Sequence, residues 1–98
     1  MDSRGVDSTA KEVAQDKAQA LALTARALES ALHALREHDA RAAPAFGDAK
    51  RAKLVAHAAE RVLHCIVQRE AQGLRDPHYV FDFYSVPTEV IARLGARA

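Results

Sequence analysis

Two sets of histidine and carboxylate side chains stand at helical spacing and could hold a metal ion. His57, Glu60 and His64 fall at i, i+3 and i+7, and Glu29, His33 and Glu37 at i, i+4 and i+8, so each set shares one face of a helix. Two nitrogens and a carboxylate on one helix, facing two carboxylates and a nitrogen on another, would resemble the carboxylate-bridged centres built inside helical bundles. The apolar periodicity argues against this. Val55, Ala59, Val62 and Ile66 form the apolar stripe of their helix, and His57, Glu60 and His64 lie opposite it with Lys53, Arg61 and Gln68. Glu29, His33 and Glu37 likewise avoid the leucine positions, so both sets are expected to face water and no metal is expected.

Cys65 follows His64 directly, but consecutive helical residues point about 100° apart, so the imidazole is badly placed to take the thiol proton. A buried, inert thiol is the expectation. The sequence has no glycine-rich phosphate loop, serine elbow or paired-cysteine motif, and no nucleophile, base and orienting group can be placed together. We therefore expect neither catalysis nor a cofactor.

The constellation with most to say is Arg69, Glu70, Arg75 and Asp76, followed by Tyr79 and Tyr84. Arginine forks beside phenols can bind a carboxylate or phosphate. The structural reading is stronger. Arg69 continues the apolar stripe through Val62 and Ile66, and a charge entering a packed region needs a carboxylate such as Glu70, Asp76 or Asp82. On that reading the cluster locks the chain reversal at Gly73 and lets the aromatic segment fold back.

The elements that must position these residues are read from periodicity and punctuation. Residues 1–8 are polar, contain Gly5 and read as a disordered lead-in. Thr9 and Glu12 have the form of a capping box, and no Gly or Pro follows until after His38, which predicts a helix over 9–38. Ala14, Ala18, Leu21, Ala25, Leu28, Leu32 and Leu35 recur at steps of four and three, a heptad seam running from small to large. Residues 39–47, with Pro44 and Gly47, read as a loop. Asp48 caps a helix over 48–72, in whose first turns Lys50, Arg51 and Lys53 oppose the helix dipole and are therefore placed for some other purpose. Asp76 with Pro77, then Pro87 with Glu89 and Gly95, predict short helices over 77–84 and 87–94. Tyr79, Phe81, Phe83 and Tyr84, four of the five aromatic residues, also suit a strand, but a lone strand has no partner in this chain.

The runs KAQALALTARALESALHALREHD (17–39), QREAQGLRD (68–76) and VPTEVIARLG (86–95) resemble a family of small bacterial proteins defined only as a domain of unknown function. Residues 68–76 are the most specific part. The resemblance implies a compact helical fold and brings no activity and no binding residues.

Composition sharpens the fold class. The 98 residues hold 49% hydrophobic side chains, yet 22 of these are alanine, leaving 26 larger apolar residues. A core this thin gains from being shared with a second copy. Fourteen Lys and Arg against thirteen Asp and Glu give a net charge of +1, too small for a field that draws nucleic acid, and no apolar run reaches the roughly 20 residues that span a bilayer. One cysteine and no apolar leader suggest a cytoplasmic protein. The expectation is an all-α single domain over 9–98: a long antiparallel helical hairpin with two short C-terminal helices, two copies pairing into a dimeric four-helix bundle. Its expected role is a homodimeric adaptor or regulatory protein that meets a further protein, the alternative being a small molecule or anion at the Arg69–Tyr84 cluster.

Overall fold

The computed structural model describes residues 3–41 and 47–95, the side chains of residues 3–7 left aside. The described chain is all-helical: α1 (Ser3–Arg41), α2 (Ala49–Ala71), α3 (Pro77–Phe83) and α4 (Thr88–Gly95). The aromatic segment is helical rather than extended.

Four helix ends are set by local chemistry. Asp48 accepts a hydrogen bond from the Arg51 backbone N–H at 3.0 Å, and Asp76 accepts one from the Tyr79 N–H at 3.3 Å, with Pro77 at the first helical position. At the end of α2, Gly73 takes φ +86°, its N–H donates to the Glu70 carbonyl and the Leu74 N–H to the Arg69 carbonyl. This paired closure needs a left-handed residue, which glycine supplies without Cβ strain. The same closure ends α3, where the Ser85 N–H donates to Asp82 and Val86 to Phe81. There the left-handed position, φ 51°, is held by Ser85, against the usual preference for glycine.

The first helix departs from expectation at both ends. It begins at Ser3, so the segment read as a disordered lead-in is helical from residue 3, and Thr9 and Glu12 lie inside α1 rather than capping it. It also runs through Asp39, Ala40 and Arg41, residues assigned to the first loop. Residues 42–46 of that loop lie outside the described residues.

α1 and α2 lie side by side in opposite directions. His38, near the end of α1, meets Asp48 at 2.8 Å, and Gln72 at the other end donates to the Lys17 carbonyl at 3.0 Å. The core is built from Leu28, Ala31, Leu32 and Leu35 of α1, Ala58, Ala59, Val62 and Cys65 of α2, and Val80, Val86 and Val90 from the C-terminal segment. Leu54, Val55, Ile66, Phe81, Tyr84, Ile91 and Leu94 pack around it. The alanines at 58 and 59 are completely buried, so small side chains here permit close approach of neighbouring helices.

Length decides what remains uncovered. α1 has 39 residues and α2 only 23, which at about 1.5 Å per residue leaves much of α1 without a neighbour among the described residues. The fourteen α1 residues before Lys17 extend past the end of α2 by about 21 Å, in a molecule whose longest dimension is 67 Å. Every side chain from Ser8 to Gln19 is exposed. The heptad seam is therefore a core element only in its leucine half, and Ala14 and Ala18 face solvent within the chain.

Candidate functional site

Two polar constellations flank the core, one at each end of α2. The first is the Arg69 cluster singled out from sequence. Arg69 lies with its guanidinium carbon 4.3 Å from the centre of the Tyr79 ring, a cation–π contact. Tyr79 stacks on Phe83, with centroids 5.4 Å apart and planes 17° from parallel, and Phe83 meets Tyr84 edge-on at 4.9 Å. The i, i+4 spacing of Tyr79 and Phe83 on α3 aligns this stack.

The carboxylate lock expected there does not form. Among the described residues Arg69 pairs with none of Glu70, Asp76 and Asp82; its charge is met by the face of Tyr79, and its Nε is shielded from solvent without an acceptor. Asp76 serves as the α3 cap. Glu70 and Arg75 are exposed and make no ion pair among the described residues. Burial pushes the Tyr84 phenol up, with Cys65, Glu29 and Tyr79 adding to the effect and Arg69 opposing it. Burial likewise raises the Cys65 thiol, against hydrogen bonding from Thr24 and the charge of Arg69. A raised thiol is poorly nucleophilic. The cleft at this end, about 430 Å³, is lined by Asp76, His78, Tyr79, Asp82 and Phe83, which puts two carboxylates and no arginine around it.

The lock stands at the opposite end, on Arg51. Its Nε and Nη2 donate to the two oxygens of Asp39 at 2.8 and 3.1 Å. Its Nη1 donates to Glu89 Oε2 at 2.8 Å and its Nη2 also reaches Glu89 Oε1. One guanidinium fork thus joins the end of α1, the start of α2 and the first turn of α4. Beside it, Asp48 caps α2 and takes His38 on its other oxygen. Hydrogen bonding to Arg51 holds the Asp39 and Glu89 carboxyls below their usual range. Asp48 is lowered first by the Arg51 backbone N–H and then by His38. The two carboxylates raise Arg51 in turn.

Sequence reasoning caught only half of this. Lys50, Arg51 and Lys53 drew notice because they oppose the helix dipole, and Arg51 is the one with a structural task. Its partners stand 12 and 38 residues away, a separation that no local pattern encodes. Two clefts adjoin the lock and share Arg93. One, about 570 Å³, is lined by Gly47, Asp48, Ala49, Arg51, Ala52, Val55, Glu89 and Arg93; the other, about 310 Å³, by Lys53, Ala56, His57, Glu60 and Arg93.

Of the residues weighed as metal ligands, His57 and His64 are exposed and Glu60 is half-buried, while Glu29, His33 and Glu37 are exposed on α1. His33 lies 3.9 Å from Glu37, which also holds Arg41 at 3.3 Å. Among the described residues no helix is long and apolar enough to cross a membrane.

Comparison of the chain with protein-family models, with curated proteins and with solved structures gives no match. The functional reading therefore rests on the geometry above.

Proposed function

We propose that the chain is a non-catalytic interaction protein that associates with a second copy through the N-terminal half of α1. One observation carries this reading: the small-residue end of the seam, Ala14 and Ala18, is exposed where α1 passes the end of α2 near Lys17, with no described residue burying it. Val13, next to Ala14, is 46% exposed. A short helical segment without tertiary packing is only marginally stable in water, so a covering partner favours the helical state of residues 3–16.

The expected four-helix bundle changes in one respect. It has two hairpins share their apolar seams, whereas Leu28, Leu32 and Leu35 are already buried in one cluster of this chain that includes Val62, Val80 and Val90. The part of the seam left for a second copy is its small-residue half. Small side chains there let two helices approach closely.

Sedimentation velocity across the micromolar range, on the full chain and on Ala14→Glu, tests this. The reading expects a dimer that the substitution returns to monomer without loss of the monomer's helix signal. A wild-type chain that stays monomeric throughout would contradict it.

A further inference from the structure

Glu89 and Arg93 stand at i, i+4 on α4, the spacing at which a glutamate followed by an arginine pairs along a helix. Glu89 is instead held by both terminal nitrogens of Arg51. Arg93 is left exposed and makes no ion pair among the described residues. Lys53, exposed in the first turns of α2 where its charge opposes the dipole, is in the same position. These two cations come from different helices and line the same cleft of about 310 Å³, with His57 beside them. Two exposed cations without an ion-pair partner among the described residues thus line one concave place.

We propose that this cleft between α2 and α4 receives an acidic side chain from an extended segment of a partner protein. Lys53 and Arg93 supply the countercharge, and Arg93 can present its fork to the carboxylate in bidentate fashion. Glu60 favours a peptide over a free anion: its carboxylate repels every anion, a doubly charged phosphate more than a single carboxylate, but it can accept the backbone N–H groups that a peptide brings along with its acidic side chain. Ala56 contributes a methyl surface for the peptide's aliphatic atoms. The inference shares with the functional reading only the premise of a protein partner, and does not depend on self-association.

The test uses the full chain, isotopically labelled, titrated with an oligoglutamate peptide blocked at both ends, with blocked oligoglutamine and inorganic phosphate as parallel arms. The expected result is a saturable set of amide shifts over residues 53–60 and 89–95, weakened by added salt and absent with oligoglutamine. Lys53→Gln and Arg93→Gln together should lower the affinity roughly three- to twentyfold, taking each exposed charge pair at its usual strength, and Arg93→Glu should abolish the shifts. Both residues are exposed, so an unchanged melting temperature confirms that the variants are folded. Shifts confined to other surfaces, oligoglutamine binding equally, or Arg93→Glu behaving as wild type would each overturn the proposal. So would phosphate producing the same shifts with equal or higher affinity, which would mark a free-anion site. A monomeric chain that still binds oligoglutamate in this way would retain the inference while the dimer reading fails.

Discussion

Replacing Leu32 by alanine separates the packed half of α1 from the uncovered half. Leu32 is 1% exposed and lies in the cluster shared by α1, α2 and the C-terminal segment. Truncation there removes its transfer energy and leaves a cavity, a cost of about 2–5 kcal/mol. For a domain of this size each kcal/mol moves the melting temperature by roughly 4–8 °C, so Leu32→Ala should melt roughly 8–40 °C lower by the same scaling. Val13→Ala is the control. Val13 is 46% exposed on the overhanging part of α1, and a surface change of that kind stays within about 0.5 kcal/mol. Urea denaturation followed by helical circular dichroism, at the lowest workable protein concentration, compares the two at unchanged denaturant dependence. A Leu32→Ala cost below about 1 kcal/mol, or an equal cost for Val13→Ala in the dilute chain, would refute the division of α1 into two halves. If the proposed self-association covers that side chain, the Val13→Ala deficit should grow at high concentration.

The remaining expectations concern the lock and the turns. Asp39, Asp48 and Glu89 carry lowered carboxyl pKa values, so the unfolded chain binds more protons than the folded one. Their stabilisation is present above the ordinary carboxylate values of 3.8 and 4.5 and is lost as the pH falls through and below them. Arg51→Gln should flatten the acid limb of the melting temperature against pH, and a variant with the wild-type slope would show that Arg51 is not the cause. Gly73→Ala should cost about 1 kcal/mol or more, arising from backbone strain alone, since a Cβ there meets nothing within 4 Å; an unchanged midpoint in urea would contradict the left-handed closure. Ser85→Gly should be neutral to stabilising by up to about 1 kcal/mol, since it relieves a left-handed non-glycine residue and costs some unfolded-state entropy. Clear destabilisation on the same denaturation curve would count against that geometry.

Much of the fold was legible because its signals are local. Asp48, Gly73, the Asp76–Pro77 pair and Pro87 act within three or four residues of themselves, and the helices they bound lie within a residue of the expected 48–72, 77–84 and 87–94. The start of the first helix was not legible, because a plausible capping box at Thr9 and Glu12 lies inside a helix that starts at Ser3. The heptad seam was real as a pattern, yet its meaning depended on the lengths of two helices that align only in three dimensions. Arg69 is expected from sequence to meet a carboxylate, but its partner is the ring of Tyr79, and sequence spacing does not distinguish the two. The Arg51 lock escaped for a similar reason: Asp39 and Glu89 come to it from other helices.

Hydrogen exchange of α1 amides, measured at several protein concentrations, tests the central claim most directly. Amides around Leu28, Leu32 and Leu35 should be protected to the same degree at every concentration, since their cover comes from the same chain. Protection over residues 8–19 should be slight in dilute solution and rise with concentration as a second copy covers them. Protection there that is already high in dilute solution, or that stays slight however concentrated the protein, would contradict the account.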